Sequence, residues 1–183
     1  MANQPARLVA DYQLPPYAFL PGYAPHPERQ PGGHMRGDRE ASEPSPTPLD
    51  TGLWPHNRTY LLGVDLFNYG YYWEAHEKWE ALWLLASDEQ GVASFLKGLI
   101  KLAAAGVKIR VGNARGTGKH AERACRLFGS VMEQAGTNRF AGLWLPDLYA
   151  LGEWARRNAK NLPASAGRTP QIVYDMVLWP YQE

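Results

Sequence analysis

A single cysteine, Cys125, stands in 183 residues. One thiol cannot close an internal disulfide, and no Cys-x-x-Cys zinc pattern can form. Neither sign of charge is in real excess: 19 Lys and Arg face 18 Asp and Glu, for a net charge of +1. That excludes nucleic-acid recognition by bulk positive charge, and no nucleic-acid partner is expected, although charge can still cluster locally. Long hydrophobic runs are missing too. The stretch from Leu102 to Val107 is among the longest, far short of the roughly 20 residues a membrane-spanning helix needs. The opening MANQPARLVADYQLPPY holds no apolar core of the signal-peptide kind. A soluble cytoplasmic protein without membrane attachment is the expectation.

Proline is scarce over most of the chain but crowded at one end. Ten of the 15 prolines fall in residues 1–50, and five in residues 51–183. Pro15-Pro16, Pro21-Gly22, Pro25-His26-Pro27 and Pro31-Gly32-Gly33 forbid long helices and favour turns and extended backbone. Yet Tyr12, Leu14, Tyr17, Phe19, Leu20 and Tyr23 are large apolar groups that a solvated tail has no use for. Residues 1–53 therefore read as an irregular arm, packed on the rest over about residues 8–35. A mobile charged and Pro/Ser-rich linker is expected over residues 36–50.

Residues 54–183 read as one helical domain. The spacing predicts helices over about residues 56–68, 71–86, 88–111, 115–135 and 146–161. Gly70, Gly112-Asn113 and Gly136 supply stops, Ser87-Asp88 an N-cap, and Pro146 a first helical position. Short connections between five helices predict an all-α antiparallel bundle. The tail TPQIVYDMVLWPYQE, residues 169–183, is expected to be irregular.

The seven tryptophans and ten tyrosines concentrate interest on FNYGYYWEAHEKWEALW, residues 67–83. On a helix His76 and Glu80 lie one turn apart on one face, with Glu74, Glu77 and Glu80 at successive i, i+3 positions. Tyr72, Ala75, Trp79 and Leu82 line the opposite side, so the helix is apolar or aromatic nearly all round, which predicts burial. Burying charges costs several kcal/mol, of order, unless partners or a metal compensate. His76 and Glu80 can hold one divalent cation, with Glu77 as a further ligand or general base and Glu74 as a proton-transfer group. On the third helix Lys97, Lys101 and Lys108 share a stripe. That stripe either neutralises the glutamates, making the network structural, or binds a small polar or anionic substrate beside a metal. Asn68 and Trp73 border the site as further substrate contacts, and His26 and His34 of the arm could fold over it as a lid. His56 and His120 are other candidate ligands. Cys125 reads as a core thiol, and Arg115-Gly116-Thr117-Gly118-Lys119 as a helix start without phosphate-loop spacing.

FNYGYYWEAHEKWEALW followed by FLKGLIKLAAAGVKIRVGNARG resembles the DUF309 family over about residues 60–135, with Trp-Glu-Ala-His-Glu as its specific core. The arm LPPYAFLPGYAPHPERQPGGH resembles the N-terminal extension of a bacterial subgroup. The resemblance implies a small all-helical protein of the kind described as a predicted metal-dependent hydrolase. By position it points to Asn68, Gly70, Glu74, His76, Glu77, Glu80 and Trp83, and to Gly98, Leu99, Gly112 and Asn113. Family members commonly carry glutamine where this chain has Lys97 and Lys101. The resemblance thus implies a hydrolase using one divalent metal ion. The alternative is a non-catalytic binding or structural protein, and a homo-oligomer is compatible with either.

Overall fold

Asn57 opens the helical part of the chain. Its side-chain oxygen accepts the Tyr60 N–H at 3.0 Å, and its amide donates to the carbonyls of Thr47 and Pro48. The first contact starts a helix by meeting one of its orphan donors. The second ties residues 47 and 48 to that start. The computed structural model describes residues 5–34, 43–87 and 91–180. A 3-10 turn over Trp54–His56 precedes α1 (Arg58–Asn68), α2 (Tyr72–Trp83), α3 (Val92–Arg110), α4 (Ala114–Ala135) and α5 (Leu145–Asn158). Each helix packs on the next in chain order. The molecule is the all-α bundle that the periodicity predicts.

Three local differences have physical reasons. α2 stops at Trp83, not Ala86, and Leu84 and Leu85 are exposed. With nothing to pack against, continuing the helix would gain little burial. The α3 N-cap is Gly91 in the left-handed region, with no side-chain cap. The Ser87-Asp88 cap expected there involves Asp88, which lies outside the described residues. Between α4 and α5 a small antiparallel hairpin, β1 (Arg139–Phe140) and β2 (Leu143–Trp144), pairs Phe140 with Leu143. Two-residue strands are too short to show a period. The left-handed Ala141 and Gly142 between them form the reversal.

Trp79 is the centre of the core, fully buried, with its indole N–H 3.4 Å from the Tyr60 carbonyl. It fits because α1 carries Gly63 opposite it: a Cβ at Gly63 would fall on the indole nitrogen. On α3, Gly98 receives the ring of Phe128 from α4 in the same way, a Cβ there lying 2.5 Å from the ring. We expect Gly63→Ala to cost about 2–3 kcal/mol, because a buried indole cannot move aside. Thermal denaturation followed by circular dichroism should show a drop of roughly 4–12 °C. An unchanged transition would mean that α1 and α2 are free to separate.

The irregular segments are held by side chains. Val9, Tyr17, Ala18, Phe19 and Leu20 are buried. Asp65, 1 % exposed, accepts the backbone N–H groups of Leu8 and Val9 at 2.9 and 2.8 Å. Glu74 accepts that of Phe19 at 2.8 Å. Within residues 43–50, Leu49 is buried and Glu43 pairs with Arg58 at 3.0 Å. This part of the expected linker therefore lies against the domain, while residues 36–42 fall outside the described residues. The C-terminal segment after α5 is irregular. Arg110 donates to the carbonyls of Ser165, Gly167 and Thr169, and the Tyr174 hydroxyl donates to that of Leu102. Among the described residues no helix is long and apolar enough to cross a membrane.

Candidate functional site

α2 turns two different faces to its neighbours, and its polar residues divide between them. His76, Glu77 and Glu80 form one group. One potential ligand atom of each lies within 4.8 Å of the others, and His76 Nδ1 is 3.2 Å from Glu77 Oε1. All three are partly exposed, the side chains of His76 and Glu77 at 24 % and 29 %. Two donors about 2.1 Å from a tetrahedral ion sit roughly 3.4 Å apart. The His76–Glu77 spacing therefore already suits a shared cation, and a small side-chain rotation would bring in Glu80. One imidazole nitrogen and two carboxylates are a donor set that a first-row divalent ion accepts.

Glu74 belongs to the other group. It is 4 % exposed, and its Oε1 takes both the Phe19 N–H and the His34 Nε2, the latter at 3.0 Å. Its Oε2 is buried with no hydrogen-bond partner among the described residues. The His34 side chain is 3 % exposed and stands edge-on to Tyr17. His26 and Phe19 both pack against Trp73, at 5.5 and 5.0 Å between ring centres. The arm histidines thus close over Glu74 and Trp73, and not over His76 and Glu80 as a lid would. Glu74, expected as a proton-transfer group, instead fastens the arm. Asn68 is buried and exchanges two 2.8 Å hydrogen bonds with the backbone of Leu178. That occupies both ends of its amide and removes it as a substrate contact.

The lysine stripe faces the first group. Lys97 sits over the Trp83 ring at 3.4 Å from its centre, a cation–π contact. Burial pushes the Lys101 ammonium below its ordinary value, helped by Lys97 and Arg123, while Glu80 pulls the other way. On α4, burial holds the His120 imidazole below its ordinary value, followed by the charges of Lys101, Lys108 and Lys119 and by His76. Lys108 lays its stem along Gly116 in the first turn of α4. Among the described residues no ion pair within 4.0 Å joins these lysines to Glu74, Glu77 or Glu80. The neutralised network that the stripe allowed is therefore not formed.

Two residues matter more than their sequence context suggested. His120, in sequence one of several candidate ligands, lies on α4 within reach of the charges of His76 and of the α3 lysines. Asp65 had a signal in principle, an acid among the apolar residues of α1, which the amphipathic pattern leaves unexplained. Cys125 is the expected core thiol: burial raises it to about 11, and its S–H points to the Tyr149 carbonyl at 3.5 Å. His56 is exposed and stands in the 3-10 turn.

Residues 60–119 match the family model described as Domain of unknown function (DUF309). No curated protein and no solved structure matches the chain. The matched stretch runs from the first turn of α1 into α4 and contains His76, Glu77, Glu80 and all three lysines of α3. Through this segment, residues 60–119, the chain is similar to the DUF309 family.

Proposed function

We propose that this protein is a divalent-metal-dependent hydrolase whose centre lies on the α2 face turned toward α3 and α4. The observation that carries the reading is the convergence of His76, Glu77 and Glu80, partly open to solvent and left unpaired by the adjacent lysines. His76 and Glu80, one turn apart, would hold the ion, and Glu77 would complete the donor set. When bound, such an ion polarises a substrate oxygen and makes water a better nucleophile near neutral pH. Glu77 or Glu80 would take a proton from water. Lys101 and Lys108 would orient a polar or anionic substrate. Trp83 keeps Lys97 against the rim. The structural reading of the α2 carboxylates is favoured only for Glu74, which the arm covers.

Isothermal titration with Zn²⁺ and Mn²⁺ after chelator treatment is the test. The wild type should bind one equivalent of at least one of the two ions. His76→Ala and Glu80→Ala should each weaken binding by about 100-fold or more, since changes one shell further out already cost 10–100-fold. Their melting temperatures should stay near wild type because both positions are partly exposed. No stoichiometric binding of either ion by the wild type would end the proposal.

A further inference from the structure

α3 contains no acidic residue over Val92–Arg110, and the first acid of α4 is Glu122. On the α4 wheel Glu122 lies about 160° from His120, on the other side of the helix. Among the described residues, the side facing His76 and Glu80 is built from Lys101, Lys108, Lys119, His120 and Arg123, with carboxylates supplied by α2. Lys101 and Lys108 are seven residues apart, which places them about 10 Å apart along the axis and within about 20° on the wheel. Lysine side chains of roughly 6 Å can converge from those positions on one group between them. Both are half-buried, so their charges are less screened than on an open surface. A half-buried lysine crowded by like charge is unfavourable unless an anion joins it. A divalent ion at the cluster would offset Glu77 and Glu80 and leave Lys101 and Lys108, the two that can converge, without a counter-charge, with Lys119 and Arg123 adding to the positive side. A phosphate monoester carries −1.5 to −2 near neutral pH, whereas a simple carboxylate carries one.

We infer that this face binds the phosphoryl group of a phosphate-bearing substrate, held between Lys101 and Lys108 on α3 and beside His120 on α4, next to the His76–Glu77–Glu80 cluster. The inference builds on the proposed metal centre by naming its substrate class, and the lysine arrangement can be tested apart from it. His120 adds a ring nitrogen as a further hydrogen-bonding group beside Lys101 and Lys108, which suits a phosphate oxygen. Lys97 is taken up by Trp83 and stays at the rim.

The probe is inorganic phosphate, titrated into the full chain and followed by ³¹P NMR and calorimetry, once with chelator and once with Mn²⁺. Acetate serves as the monoanionic control, and Lys160→Gln as an exposed lysine outside α3 and α4. We expect phosphate to bind the wild type more tightly than acetate. Lys101→Gln and Lys108→Gln should each weaken phosphate binding about 5- to 10-fold, and Lys160→Gln should leave it unchanged. Phosphate binding no better than that of acetate, or equal in wild type and both single variants, would overturn the inference. If a glutamine variant melts early, the corresponding arginine variant keeps the charge, and it should retain binding if charge is what the site uses. The two proposals separate cleanly. Lysine-dependent phosphate binding without any metal uptake removes the metal centre and keeps the anion site. Metal uptake with lysine-independent phosphate binding does the reverse.

Discussion

Removing residues 1–34 is expected to lower the stability of the remaining chain by an amount on the order of 5 kcal/mol, a large part of what a domain of this size has. The arm is irregular, yet it contributes to the core. Leu20 is fully buried, and Val9, Tyr17, Ala18 and Phe19 are nearly so. Each large apolar side chain of this kind gains transfer free energy on burial, against which the ordering of the arm's backbone must be set. That balance alone would leave the arm only weakly attached. The polar anchors tip it. Asp65 and Glu74 receive three arm N–H groups, and the hydroxyls of Tyr71 and Tyr69 donate to the carbonyls of Pro15 and Pro5. Hydrogen bonds to charged acceptors contribute about 1.5–3 kcal/mol each. The arm also reaches the C-terminal segment, where the Ala18 N–H meets the Arg168 carbonyl at 2.9 Å, so its loss should loosen that segment as well. The measurement is thermal denaturation of a chain beginning at residue 35, with the 1–34 peptide added in trans. A fall of 10 °C or more, partly recovered by the peptide, is the expected result. An unchanged melting temperature would make the arm a passive appendage.

The helices could be read from the sequence because most carry a 3.6-residue apolar period with glycine, asparagine or proline at an end. Those signals are local. What could not be read is which backbone groups the buried polar side chains would meet. Glu74 and Glu77 stand at i, i+3 on one helix and look alike in sequence. The structure separates them because the arm lies over Glu74 and leaves Glu77 partly open. Every residue of the arm but proline offers the same N–H, so nothing in its composition marks Phe19 as the one that Glu74 takes. Asn68 shows the same limit, since its partner is the backbone of Leu178, 110 positions away. The His76–Glu77–Glu80 group was legible because its geometry is intrahelical. The α3 stripe was legible as a stripe, but the contact of Lys97 with Trp83 was not, since it depends on how α2 and α3 are rotated against each other.

Asp65→Asn should destabilise the protein by about 2–4 kcal/mol, whereas Glu77→Gln should stay within about 0.5 kcal/mol of wild type. Both changes remove one carboxylate and almost no volume, so burial and partners decide the difference. Asp65 gives one oxygen to the Leu8 N–H and the other to the Val9 N–H. Asparagine has one oxygen, and its amide group would point a donor at a donor. One arm N–H is then left buried without an acceptor, and the guanidinium of Arg7, 3.8 Å from Asp65, loses its counter-charge. Arg7 Nε is buried without a hydrogen-bond partner among the described residues, so it depends on that charge more than an exposed arginine would. Glu77 is 29 % exposed, and water can solvate either the acid or the amide there. Its contact with His76 is of the screened, partly exposed kind that adds little. Urea denaturation of the two variants checks this. The midpoint should fall strongly for Asp65→Asn with an unchanged slope, and hardly move for Glu77→Gln. A large loss at Glu77 would mean that the cluster on α2 supports the fold. It would also move the metal proposal from a site open to substrate toward a purely structural network.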